Sequence, residues 1–230
     1  MPASIILRTI ATVDDKRVVL ANSPGARTML MGNGWNVARV GLRLCLNDPV
    51  AATITESPVF FMGFCSGSAN KYGMASVTHA FGMKVTSASW TRNAGTPNYY
   101  GPLSMFPCKK VLTVETVGGS AIDTTKVISA TPASHRTVWV VELTKGSPNY
   151  TINGVFPTSA QVSDISQATF RAAMEDATLS GCAATLGMSA GTARTQAVSE
   201  ADGNLDSLGL FWGRTGPTIE VSHILATRVS

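Results

Sequence analysis

The chain has 230 residues, of which 44% are hydrophobic, 14% charged and 7% aromatic, with 18 Lys and Arg against 14 Asp and Glu. Ordinary apolar content with charge well below the usual quarter of residues excludes intrinsic disorder. A net charge of +4 with no basic run beyond Lys16-Arg17 and Lys109-Lys110 argues against nucleic-acid binding, and no apolar stretch is long enough for a membrane-crossing helix.

In chain order, the N-terminus Met-Pro-Ala-Ser-Ile-Ile-Leu-Arg breaks its apolar run at Arg8, unlike a secretory signal. Ser4–Val13 and Lys16–Leu20 read as strands around a turn at Asp14-Asp15, and 22–34 as a polar, glycine-containing junction. In Trp35–Leu46, Ala38, Val40, Leu42, Leu44 and Leu46 alternate with Arg39, Gly41, Arg43 and Cys45, so the two arginines share the face opposite the apolar one. Val59–Cys65 is apolar on both faces and predicts a central strand. Ala75–Val85 alternates, with Val77, His79, Phe81, Met83 and Val85 on one side, and Ser87–Arg92 continues as a strand.

Asn93–Pro107 holds three prolines and two glycines and predicts a long surface loop. Strands are expected at Lys110–Val117, Val127–Ser129 and His135–Leu143, with turns at Gly118-Gly119-Ser120 and Gly146-Ser147-Pro148 and a hairpin at Asn153-Gly154. One helix is expected, capped by Asp164 with Gln167 three residues on, its apolar stripe Phe170, Ala173, Met174 and Ala177, and Gly181 beyond its end. Ser207–Arg214 and Thr218–Val229 close the chain as strands, with Ile219, Val221, His223 and Leu225 on one face of the last.

About ten or more short strands, one short helix and no βαβ alternation predict a mainly β fold, an antiparallel jelly-roll or β-sandwich. The expected organisation is an N-terminal β arm and linker over residues 1–30 and a sandwich domain over 31–230. Cys45, Cys65, Cys108 and Cys182 show no C-x-x-C spacing, so they read as small buried hydrophobes rather than zinc ligands or a disulfide framework.

Trp-Asn-Val-Ala-Arg-Val-Gly-Leu-Arg-Leu (35–44), Pro-Val-Phe-Phe-Met-Gly-Phe-Cys-Ser-Gly (58–67), His-Ala-Phe-Gly-Met-Lys-Val (79–85), His-Arg-Thr-Val-Trp-Val-Val-Glu-Leu (135–143), Leu-Gly-Leu-Phe-Trp-Gly (208–213) and Ile-Glu-Val-Ser-His-Ile-Leu-Ala-Thr-Arg-Val (219–229) follow one another in an order that carries a resemblance. It resembles the lectin/glucanase-like, concanavalin-type jelly-roll sandwich, in the variants found in bacteriophage and viral particle proteins. The resemblance implies a scaffold or binding module. The paired acids of the glucanases, in an E-x-D-x-x-E pattern, do not occur in the sequence.

Candidate chemistry is sparse. Gly187-Met188-Ser189-Ala190-Gly191 matches the G-x-S-x-G nucleophile elbow, with Asp202 or Asp206 and then His223 following, but that motif requires a strand, a tight turn and a helix in succession. Glu200, Asp202, Asn204 and Asp206 bring oxygens around Gly203 without EF-hand spacing. His79, His135 and His223 are far apart, and Glu115 and Glu142 are lone acids in β runs, so no catalytic residue, metal or cofactor is expected. Trp90, Arg92, Tyr99 and Tyr100 cluster around the proline-rich segment, where aromatics stack on sugar faces, anchor an interface or pack on themselves.

Low charge, the 48 Ser and Thr residues, a separable arm and the lack of an active site predict a non-enzymatic structural protein of a viral or phage particle. It is expected in the virion, as a capsid, tail or appendage component assembling with its own copies and other particle proteins, the arm adding a strand to a neighbour. The alternative is a lectin-like carbohydrate-binding module or phage adhesin using Trp90, Arg92, Tyr99 and Tyr100; a Ser hydrolase using Ser189 ranks last.

Overall fold

The computed structural model describes residues 18–20, 25–30, 36–46, 53–54, 60–66, 77–85, 90–93, 98–129, 136–146, 148–198, 205–212 and 219–229. Strands β1 (Val18–Leu20), β15 (Ile219–Val229), β3 (Val37–Leu46), β11 (Thr137–Thr144), β12 (Asn149–Val155) and β13 (Arg194–Ala197) form one sheet in that order. The second sheet runs β2 (Gly25–Leu30), β14 (Ser207–Trp212), β5 (Phe60–Cys65), β6 (His79–Val85), β8 (Tyr99–Val111), β7 (Trp90–Asn93) and β4 (Thr53–Ile54), with β9 (Val114–Val117) and β10 (Asp123–Ser129) also on β8. All pairings are antiparallel, and the fold is the mainly β sandwich expected from the strand spacing. The two strands described within residues 1–30 pair inside this chain, β1 on β15 and β2 on β14. The strand expected at Ser4–Val13 and the turn at Asp14-Asp15 lie outside the described residues.

Alternation built the core. Ala38, Val40, Leu42 and Leu44 of β3 face Phe60, Met62 and Phe64 of β5 and Phe81, Met83 and Val85 of β6 in one apolar layer between the sheets. Trp139 is its centre: Phe60 and Phe156 meet the indole edge-on (centroids 5.6 and 6.2 Å), and its N–H donates to the Val127 carbonyl at 3.3 Å. An indole at that depth has to place its one donor, and β10 provides the acceptor.

The other face of β3, which carries both arginines, is covered as well. Helices α1 (Gln167–Glu175) and α2 (Leu179–Thr185) pack against Val138, Val140, Val155 and Leu225, so that face is a second core. Gly41 permits the approach, since a Cβ there would sit 2.6 Å from Met174 Sδ and 2.7 Å from Phe170 Cε2. The arginines that flank it, Arg39 buried and Arg43 half-buried, are donors. Arg39, fully buried, donates through Nε to Glu142 (2.5 Å) and through Nη1 to the Asp176 carbonyl. Arg43 reaches the Ile165 carbonyl, the Ser222 hydroxyl (2.9 Å) and Asp164 (3.2 Å). The guanidinium forks thus tie sheet backbone to the chain entering α1 and leaving it, satisfying carbonyls that no helix or ladder bond takes.

Two helices stand where one was expected, and the cap differs. Asp164 is taken by Arg43 and the Arg136 N–H (3.0 Å), so Ser166 caps α1, accepting from the Thr169 N–H at 3.1 Å. Gly181 lies inside α2, where its N–H bonds the Thr178 cap, and Ala177 is exposed between the helices. Asn153-Gly154 makes no hairpin: β12 runs straight through, and Gly154 is there because Phe156 Cε2 lies 2.3 Å from where a Cβ would be. In β15 a register shift between Val221 and His223 breaks the expected single face, sending Val221 and Ile224 into the inter-sheet core and Leu225 toward the helices. The proline-rich segment expected as a loop is mostly strand β8: Pro102 is exposed at the changeover between β7 and β6, where it interrupts no ladder, and Pro107 stands opposite Met83 of β6 and still accepts from the Gly118 N–H through its carbonyl.

Candidate functional site

The β8 strand is long enough to serve two partners on each edge. Residues 99–101 pair with β7 and 105–111 with β6 on one edge, while β10 and β9 take the other. Where β7 and β10 flank its first half, β10 departs from regular strand. Its register shifts between Asp123 and Lys126 and again between Lys126 and Ile128, and Thr125 has φ +55°. A β-branched residue in the left-handed region is strained and is kept only where surroundings enforce it. Here Asp123 does so, accepting from the Thr124 N–H (3.0 Å) and pairing with Lys126 (3.2 Å). Bulges of this kind re-aim side chains and recur beside functional sites.

A cleft of about 150 Å3 opens there, lined by Asn93, Tyr99, Gly101, Pro102, Thr125, Val127 and Ser159. It presents an aromatic ring with a phenol, an amide, two hydroxyls and the apolar Pro102 and Val127. The Thr125 hydroxyl donates to the Thr124 carbonyl at 2.7 Å, which leaves its oxygen as an acceptor. Gly101 keeps β8 close to β10, since a Cβ on it would lie 2.8 Å from Val127 Cγ1. No lining residue is a carboxylate, imidazole, thiol or cation.

The four residues singled out from the sequence divide. Tyr99 is half-buried and lines the cleft, and Arg92 is half-buried on β7 opposite Tyr100. Tyr100 is fully buried in the inter-sheet core, so it packs beneath the site and offers no face to a ligand. Trp90 heads β7, and its side chain lies outside the description. Asn93, Thr125 and Ser159 were missed. Thr125 left one faint signal, Asp-Thr-Thr-Lys as a polar interruption before Val127-Ile128-Ser129.

The Gly187–Gly191 motif is a helix ending. Gly187 (φ +66°) follows α2, with its N–H on the Ala184 carbonyl (3.0 Å) and the Met188 N–H on the Ala183 carbonyl (2.9 Å), the paired bonds of a Schellman cap. Exposed Ser189 therefore follows a helix and precedes the bridge residue Ala190, the reverse of the strand-to-helix elbow. The acidic turn 200–204 lies outside the described residues, and among those described no group of His, Cys, Asp and Glu is placed to hold a metal. All four cysteines are buried and none is in a disulfide. Burial pushes the Cys108 thiol up to about 12 and that of Cys182 up to about 11. No described helix is long and apolar enough to cross a membrane.

No family model and no curated protein matches this chain. Among solved structures it is similar to peanut lectin bound to a nine-residue peptide (9% identity, 98% of this chain and 91% of that one, TM-score 0.36). It is also similar to basic winged bean lectin with Tn-antigen (9% identity, 97% and 91%, TM-score 0.37). A third is lectin I from Ulex europaeus with the methyl glycoside of α-L-fucose (10% identity, 97% and 91%, TM-score 0.38). At such identities and TM-scores the likeness transfers no residue role to this chain.

Proposed function

We propose that this protein is a carbohydrate-binding module and that the Tyr99 cleft is its sugar site. The observation that carries the reading is the lining itself: an aromatic residue, an amide, hydroxyls and two apolar groups beside a bulge at the strained Thr125. A sugar ring presents an apolar C–H face for an aromatic to cover and a rim of hydroxyls that amides and hydroxyls bond. The volume of about 150 Å3 is well below that of a drug-sized pocket, so the site takes one ring, the rest of a glycan running into solvent. An uncharged lining favours a neutral sugar, and with no acid or base on it the cleft binds without turnover.

A glycan array probed with the full chain and with Tyr99→Ala tests this. Binding confined to glycans ending in neutral sugars and lost in the variant is expected; silence across the array, or equal binding by the variant, refutes it. A second reading, a structural subunit of a viral or phage particle, is favoured by the low charge and by the apolar side chains exposed on the β8–β9 hairpin. A phage adhesin would combine the two.

A further inference from the structure

The β8–β9 hairpin is the place where the described surface is most at odds with water. Among the described residues, the exposed large hydrophobics are Leu112 (62%), Val114 (63%) and Val117 (38%), all on this hairpin. Every residue of β9 is exposed, and β8 is its one strand neighbour among the described elements. The ladder fixes which backbone groups face out. Val111 is paired with Val114 across the two-residue turn, and the Gly118 N–H donates to the Pro107 carbonyl at 2.7 Å. Backbone direction alternates along a strand, so Val114, Thr116 and Gly118 bond inward to β8, while Glu115 and Val117 turn their N–H and C=O groups outward. Such an edge is a template for another strand, and natural edges are usually blunted with lysine, proline or a bulge. Val-Glu-Thr-Val has none of these, and its one charge, Glu115, is already paired with Lys84 of the same chain.

We propose that β9 is a self-association edge, pairing antiparallel with β9 of a second copy about a two-fold axis at Thr116. Outward groups must meet outward groups, which restricts the register to those that place Glu115 or Val117 opposite Glu115 or Val117. Centring on Glu115 sets like charges face to face, which is destabilising. Centring on Val117 leaves only that one outward residue paired within the strands. The Thr116-centred register sets Glu115 opposite Val117 twice, forms four ladder hydrogen bonds and puts Thr opposite Thr, a favourable pair. Val114 then lies opposite Gly118, where no side chain obstructs it. The sequence of β9 is thus self-complementary in one register, which selects a second copy over an unrelated strand.

The register sets the test. Thr116 faces its symmetry mate as a non-hydrogen-bonded pair with Cα atoms ~4.5 Å apart, inside the disulfide range. Full-length Thr116→Cys therefore forms a disulfide-linked dimer on mild oxidation, whereas Glu115→Cys, which has no mate opposite itself, does not; the four native thiols are buried and do not compete. In parallel, sedimentation of the unmodified chain over a concentration series shows the mass rising toward twofold. Val117→Pro deletes an outward donor while leaving the inward ladder, and stays monomeric with an unchanged melting midpoint. No linked Thr116→Cys dimer, or the same mass distribution for Val117→Pro and the unmodified chain, overturns the proposal. Sugar binding is read separately, so loss of the Tyr99 site leaves this result standing.

Discussion

Truncating Glu142 to Ala isolates the value of the ties beneath the helices. Arg39 and Glu142 are directly opposed on β3 and β11, and Arg39 is fully buried, with its Nε 2.5 Å from the carboxylate. The Glu142 side chain is 18% exposed, so water reaches one partner and not the other. Removing the carboxylate leaves a desolvated cation donating to the Asp176 carbonyl with no counter-charge from Glu142. A buried pair broken from one side costs about 3–5 kcal/mol, and the partial exposure of Glu142 puts the expectation near the lower end, about 3 kcal/mol. Replacing both partners with apolar residues, Arg39→Met with Glu142→Leu, removes the stranded charge and recovers most of that loss. Urea unfolding followed by far-ultraviolet circular dichroism reads both, as midpoint shifts at constant slope. A loss below about 1 kcal/mol for Glu142→Ala, the worth of a surface pair, would show that Arg39 is solvated and that the helices are not anchored this way.

Three further outcomes follow from the same packing. Gly41→Val drives a side chain into Met174 and Phe170, so it should lower stability by about 1–3 kcal/mol in a thermal melt, or more if α1 detaches. The buried thiols should resist an aromatic disulfide reagent in the native state, and stability should fall at high pH. Their folded values, about 12 for Cys108 and about 11 for Cys182, stand above the ordinary 9.0. The stabilisation is therefore complete below about pH 9 and is lost as pH rises toward the folded values; Cys108→Ala with Cys182→Ala should flatten that alkaline slope. Ser189→Ala should leave the melting midpoint within about 0.5 kcal/mol-equivalent of the unmodified chain, and a fluorophosphonate probe should not label Ser189.

The strands were legible where one face met the core. Alternation in 37–46 and the doubly apolar run 60–65 placed β3 and β5 because burial of a side-chain period of two leaves a direct imprint on sequence. What failed depended on partners distant in the chain. Arg39 and Arg43 fall on the face opposite the apolar one, but nothing local tells that the segments flanking α1, more than a hundred residues later, supply their acceptors. Gly154 read as a turn residue although its missing Cβ makes room for Phe156. Pro102 and Pro107 read as loop residues because a single sequence does not show which strand positions need no N–H donor. The site was half legible: Tyr99 stood out as an aromatic, while Asn93, Thr125 and Ser159 are common polar residues brought together only by the bulge in β10 and the turn after β12.

The most direct measurement of the sugar site is a titration of isotope-labelled protein with neutral monosaccharides, followed by amide chemical shifts. Saturable shifts confined to Asn93, Tyr99, Gly101, Thr125, Val127 and Ser159 are expected, with binding weakened about tenfold or more, ~1.4 kcal/mol, in Tyr99→Ala. Shifts centred elsewhere on the sandwich, or none at these residues at any sugar concentration, would contradict that site.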